Sequence, residues 1–305
     1  MILYYDPIYT NGLHPEARFP RERYRLLAER LGPYPGIELK RPAPITREDL
    51  ILAHDSEYVD RFLNGQLSEK EIRRIGLRPW TDDIVTRTLQ LTGGSLLAME
   101  AALASGGIAG NMAGGTHHAF YDEGSGYCVF NDLAIVALKA LQRPEIEQVL
   151  ILDLDVHQGD GTASIFRHNA MVHTVSMHGA KNFPFRKQQS DWDLPLPDGT
   201  GDGDYLKILE YVLEELERRP VQLLLYQAGV DPLAEEHLGH LNLTRQGLDR
   251  RNRMVFEWAE RHRLPVVLFM GGGYATPIER SVEAFVDLFT HASRVHAEMI
   301  AEATP

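Results

Sequence analysis

The stretch VLILDLDVHQGDGT, residues 149–162, joins a run of four aliphatic residues to three aspartates and a histidine. A run that is apolar at every position, without alternation, suits a strand buried on both faces of a parallel sheet. Charged groups have no place inside such a strand. Asp153, Asp155, His157 and Asp160 therefore mark its carboxyl end, the edge of an open α/β sheet where sites form. If the chain stays extended to His157, then Asp153, Asp155 and His157 fall at i, i+2 and i+4 on one face. Burying such groups unpaired costs on the order of several kcal/mol each, so a cation, and a metal ion in particular, is expected among them.

Similar apolar runs recur at 2–5, 108–112, 148–154, 171–177, 221–226 and 265–270. Between them, 82–104, 131–142, 204–219, 244–262 and 278–296 carry spaced apolar positions of helical period, with "TDDIV" and "NLTRQGL" as N-caps. This βα alternation predicts an α/β fold. No repeat, low-complexity tract or polar linker divides it, so 1–305 reads as a single domain. Gly, Pro, His and Asp gather after the strands at 113–127, 155–162, 178–203, 227–242 and 271–277.

The 44% hydrophobic content of 305 residues is enough for one large core. With 31 basic and 43 acidic residues, a net charge of −12 and no dense basic tract, neither nucleic acid nor an anionic membrane is an expected partner. A cationic partner fits better. Cys128 is the single cysteine, which excludes an intramolecular disulfide and a cysteine-based zinc site. "MILYYDPIY" has no basic leader, and "VQLLLYQAGV" and "LPVVLFMGGG" are too short to span a bilayer. A soluble, cytoplasmic chain is expected.

Three more clusters accompany the first. In "AGGTHHAFYDEGSGYCVFND" (113–132), His117 and His118 are adjacent and point to opposite faces if extended, which suits two imidazoles at different points around a substrate. In "YQAGVDPLAEEHLGHLNLT" (226–244), Asp231 supplies a carboxylate from a second strand end. Glu235 and Glu236 follow as either solvated loop charges or a rim that attracts a polyamine. In "VVLFMGGGYAT" (266–276), three glycines allow close backbone approach before Tyr274.

In this order, "HPEARFPRERYRLL", "GGTHHAF", "GSGYCVFND", "DLDVHQGDGT", "TVSMH", "AGVD" and "GGGY" resemble the zinc-dependent histone deacetylase family over nearly the whole chain. "IGLRPWTDDIVTRTLQLTGGSLLA" and "HQGDG" look most like bacterial relatives of its class IV branch. The resemblance implies the arginase/deacetylase fold, a three-layer αβα domain with a mainly parallel sheet of about eight strands. It implies removal of acetyl or longer acyl groups from the ε-amine of lysine in proteins or peptides, or from small amines such as acetylpolyamines. Asp155, His157 and Asp231 become zinc ligands, although such ligands also accept iron(II). His118 becomes the general base and then acid, and His117 orients the water. Asp153 holds His117, Asp160 holds His118, and Tyr274 donates to the oxyanion. Tyr127 and Phe183 flank the alkyl stem, the Gly126 carbonyl takes the amide N–H, and Arg23 lines the cavity where acetate leaves. Asp153 with the backbone of Ser176 and Met177 matches a potassium site.

Two positions depart from the better-known branches. Gln158 stands where a second histidine is common, and the loop 64–81 has no match to the rim aspartate that grips a peptide backbone, Asp82 and Asp83 beginning a helix instead. Two other functions are weighed on the same fold. A binuclear manganese ureohydrolase needs further carboxylates beside Asp160 and Asp231, and a silent binding protein need not keep Tyr274.

Overall fold

A computed structural model describes residues 1–302 of the chain. Eight strands form one sheet: β1 (Ile2–Tyr4), β2 (Glu38–Lys40), β3 (Ile108–Asn111), β4 (Val149–Asp153), β5 (Val172–Gly179), β6 (Trp192–Leu196), β7 (Leu223–Gln227) and β8 (Val266–Phe269). Their order is β2-β1-β3-β8-β7-β4-β5-β6, with every pair parallel. The five inner strands from β3 to β5 in that order are buried at every residue, which is why their sequences do not alternate. The edges β2 ("ELK") and β6 ("WDLPL") were not among the expected strands. An edge faces solvent and tolerates charge and proline, so neither shows an unbroken apolar run.

The helices are α1 (Ile8–Asn11), α2 (Glu22–Leu31), α3 (Arg47–Leu50), α4 (Ser56–Leu63), α5 (Glu69–Ile75), α6 (Ile84–Ser105), α7 (Asp132–Ala140), α8 (Asp160–Phe166), α9 (Asp202–Leu216), α10 (Arg245–Arg261) and α11 (Glu279–Glu302). α6, α7 and α8 pack side by side on one face of the sheet, and α9, α10, α11 and α2 on the other, giving three αβα layers. Thr244 caps α10 by accepting from the Gly247 N–H, whereas Asp83 stands at the start of α6 without a side-chain cap bond. The supposed loop 64–81 holds α5, started by a Ser68/Glu71 capping box and stopped by Gly76 at φ 85°.

The strand order places the site. β3, β8, β7 and β4 are neighbours at the sheet centre, and their terminal residues Asn111, Phe269, Gln227 and Asp153 lie in register. Each releases one of the clusters found in the sequence. Arg251 of α10, fully buried, ties two of these ends together by donating to the carbonyls of Leu154, Ala228 and Gly229.

A second buried group links the fold to pH. His54 Nε2 accepts the Asn131 N–H at 2.8 Å, so its Nδ1–H faces the Tyr121 carbonyl at 3.2 Å. Burial, which disfavours a charged ring, lowers its pKa to about 4 against the pull of the Tyr121 and Phe120 backbone. The folded value lies below the unfolded one, so this stabilisation is complete above about pH 6.5 and is lost as pH falls toward 4, a change of about 3 kcal/mol. Denaturation midpoints across that window are expected to fall less steeply for His54→Gln than for the parent; equal slopes would refute the assignment.

Candidate active site

β4 ends at Asp153, and the chain then turns rather than running on. Asp153 Oδ1 accepts the Asp155 N–H at 3.1 Å, and Asp155 Oδ1 accepts the His157 N–H at 3.0 Å. Two successive side-chain turns of this kind compete with an extended backbone. The expectation of Asp153, Asp155 and His157 on one strand face is therefore corrected: the turns send Asp153 toward the paired histidines and the other two toward Asp231.

Asp155, His157 and Asp231 come together with their donor atoms within 4.8 Å of one another. His157 Nδ1 lies 3.1 Å from Asp155 Oδ1 and 3.0 Å from Asp231 Oδ2, and all three residues are buried. Burial opposes charging of His157, but its bonds to the two carboxylates prevail and raise it to about 10. Burial, reinforced by the Asp155 charge, raises Asp231 to about 6. A buried set that draws in positive charge this strongly has the donor chemistry of a divalent-cation site. Among the described residues it is the one such group.

Gly271, at φ 65°, and Gly272 bring β8's loop against this group. A Cβ at Gly272 would lie 1.9 Å from Asp231 Oδ2, and the Gly272 N–H donates to Asp155 Oδ2 at 2.7 Å, so no larger residue fits. Beyond them stands Tyr274, its ring 6.5 Å from that of His157. Burial raises its phenol well above the usual value, despite the Arg23 charge, so the hydroxyl keeps its proton.

Two residues brace this loop. Arg23, 2% exposed, donates to the carbonyls of Gly273 at 3.0 Å and Gly271 at 3.1 Å, and its guanidinium lies 5.6 Å from the Tyr274 ring centroid. It lines a small cavity shared with His117, His118 and Asp155. Glu236 is 7% exposed, accepts the Tyr274 N–H at 2.5 Å and the Ser281 hydroxyl at 2.8 Å, and is pushed by burial to about 7. The reading of Glu235 and Glu236 together as rim charges is thus corrected. Glu235 is exposed, but Glu236 sits beneath the tyrosine loop, because the backbone turns inward after Asp231.

His117 Nδ1 meets Asp153 Oδ2 at 2.7 Å, and His118 Nδ1 meets Asp160 Oδ1 at 2.7 Å, the two rings lying 4.2 Å apart. Their environments separate them. For His117, burial is outweighed by the Asp153 and Asp155 charges, which raise it to about 9. For His118, burial and the His117 charge lower it to about 4, against Asp160. Two residues not expected from the sequence hold this pair. Asp132 takes the N–H groups of Gly115 and Thr116 at 3.1 and 2.8 Å, and Asn131 Nδ2 donates to the Ala119 carbonyl at 3.1 Å. Both start α7, so "FND" before an apolar helix was the available signal.

Tyr127, Gly126 and Phe183 line a cavity of about 380 Å³ together with His118, His157 and Tyr274. The Gly126 carbonyl faces Cys128 Sγ at 3.4 Å. Gln158 turns away from the carboxylates, donating to the Gln188 carbonyl and to Asp193, both at 2.7 Å, and so fixes the loop that carries Phe183. Asp153 and Ser176 are register partners, and Ser176 and Met177 are buried.

A model of the histone deacetylase domain matches residues 15–289. An uncharacterised protein of Picosynechococcus sp. is 45% identical over 90% of this chain and 92% of its own. Histone deacetylase 8 of Xenopus tropicalis is 32% identical over 84% and 72%, and histone deacetylase 2 of Arabidopsis thaliana 28% identical over 83% and 67%. Domain match, sheet order and the grouping of charged residues at the sheet edge agree, and the chain belongs to the histone deacetylase family.

Proposed function

We propose that the protein is a zinc-dependent deacylase that hydrolyses the amide of N-acyl-lysine in peptides or proteins. Family membership supports a deacetylase hydrolase. The observation that carries the finer reading is that His118, His157 and Tyr274 face one cavity walled by Tyr127 and Phe183. Such walls suit a methylene stem, each CH₂ of which contributes about 0.8 kcal/mol on burial.

Asp155, His157 and Asp231 would hold the zinc, with iron(II) as the alternative occupant. When bound there, the ion supplies Lewis-acid polarisation of the carbonyl and acidification of water. The chain's own residues do the rest. His118, uncharged at neutral pH and held at Nδ1 by Asp160, takes the water proton at Nε2 and returns it to the leaving lysine amine. His117, held at Nδ1 by Asp153, orients the water. Tyr274 donates to the carbonyl oxygen as negative charge develops, and the Gly126 carbonyl accepts the amide N–H. The C–N bond breaks, the amine leaves through the channel, and the carboxylate leaves past Arg23. A potassium ion at Asp153, Ser176 and Met177 belongs to the same reading.

Amine release by zinc- or iron-loaded protein from acetyl-lysine peptide, long-acyl-lysine peptide, acetylputrescine and arginine tests this. Acyl-lysine turnover that falls by about 10²–10³ in Tyr274→Phe is expected. Urea from arginine alone, or no metal-dependent turnover, would overturn it.

A further inference from the structure

One groove on this acidic chain gathers five arginines. A groove of about 1140 Å³ opens beside the channel, shares Gly126, Tyr127 and Phe183 with it, and is lined by Arg18, Arg73, Arg74, Arg78 and Arg186. All five arginines are exposed. The acidic residues in the same lining are few. Asp160 is turned to His118, Glu123 pairs with Arg74 at 2.6 Å, and only Glu16 is left facing the groove. In a protein of net charge −12, this inverts the overall balance at the one place where a substrate enters.

The arginines are tied to the channel walls. Arg73 and Arg74 end α5, whose last carbonyl, that of Ile75, accepts the Tyr127 N–H at 2.7 Å. Gly76 then lies against the Tyr127 ring, and Arg78 follows. On the other wall, Arg186 comes three residues after Phe183, next to Phe185, which is 88% exposed. Exposed arginine beside exposed aromatic surface is the composition of a protein-recognition site.

We propose that this groove receives an acidic polypeptide segment flanking the acylated lysine, a proposal that rests on the acyl-lysine reading of the channel. A side chain entering between Tyr127 and Phe183 leaves its own backbone and neighbours over the arginines. Carboxylates there gain charge-assisted hydrogen bonds to guanidinium groups, while lysine-rich flanks and polyamines are repelled. A short acidic segment senses the groove within a Debye length of about 8–10 Å, whereas a long nucleic acid also meets the surrounding negative surface.

The test compares kcat/KM for acyl-lysine peptides that differ only in flanks of glutamate, glutamine or lysine, with the parent and with R73Q/R78Q/R186Q. The expected glutamate-to-lysine ratio is about tenfold or more at low salt, shrinking as salt rises and falling to within about twofold in the triple variant. A ratio near one, a preference for lysine flanks, or a ratio unchanged in the variant overturns the proposal. A binding arm separates it from the acyl-lysine reading: fluorescence anisotropy of labelled, unacylated glutamate-rich and lysine-rich peptides and a single-stranded oligonucleotide. If no peptide is turned over, the acyl-lysine reading fails and this arm alone decides the groove. Tighter binding of the glutamate-rich peptide, weakened in the variant, supports it; tighter binding of the oligonucleotide, or no difference between peptides, overturns it.

Discussion

Asp231→Asn is expected to lower metal-dependent turnover by about 10³-fold or more while leaving the fold intact. A Lewis acid contributes several kcal/mol to amide hydrolysis, and each ~1.4 kcal/mol is a factor of ten in rate. The substitution keeps the shape of the side chain and an oxygen able to accept the Val156 N–H, which Asp231 Oδ1 now takes at 2.9 Å. It removes one of the two anionic donors that face His157. Bulk changes little under Gly272, so local packing has no reason to fail. In the metal-free protein, burial and then the Asp155 charge disfavour an ionised Asp231, outweighing its bond to His157, so the melting temperature of the metal-free variant is expected to equal or exceed that of the metal-free parent. Addition of zinc is then expected to stabilise the parent and not the variant, because only a species that binds the folded state shifts that equilibrium. A variant that keeps both the zinc-induced shift and the rate would remove Asp231 from the ligand set.

The inner sheet was legible because burial on both faces leaves a mark in each strand: "VLILD", "LLLYQ" and "VVLF" are apolar at nearly every position. β2 and β6 left none, since an edge strand is specified by pairing with its neighbour and not by its own composition. Asp153, Asp155 and His157 stood out because buried charge needs a reason, and the family resemblance added Asp231, but the path of the chain between them was not visible. The turns through Asp153 and Asp155 depend on side chains bonding their own backbone, which the same letters also permit to remain extended. Glu236 was illegible for a different cause. Beside Glu235, it reads as half of a solvated pair, and only the fold shows that one carboxylate turns in to the Tyr274 N–H. The arginine groove draws on three separate segments, 16–18, 73–79 and 185–186, so no single window of sequence contains a basic tract.

His118→Gln is expected to cost about 10²–10⁴ in kcat/KM, the range for loss of a positioned acid–base group, and more than His117→Gln. The two imidazoles are adjacent in sequence, but their surroundings push them in opposite directions. His117 lies near two carboxylates and is raised to about 9; His118 is buried against the charged His117 ring and lowered to about 4. Neighbouring groups pushed apart in this way divide the acid–base roles between them. Only an uncharged imidazole can accept the proton of the attacking water, and Asp160 at Nδ1 leaves Nε2 for that task. Protonation as pH falls would remove the acceptor, so kcat/KM of the parent is expected to decline on the acid side and the residual rate of His118→Gln to lack that limb. Asp160→Asn, which keeps a partner at Nδ1 but removes its charge, is expected to fall between parent and His118→Gln. If His117→Gln proves the more damaging change, or His118→Gln keeps the acid limb, the base is His117 and the two roles are exchanged.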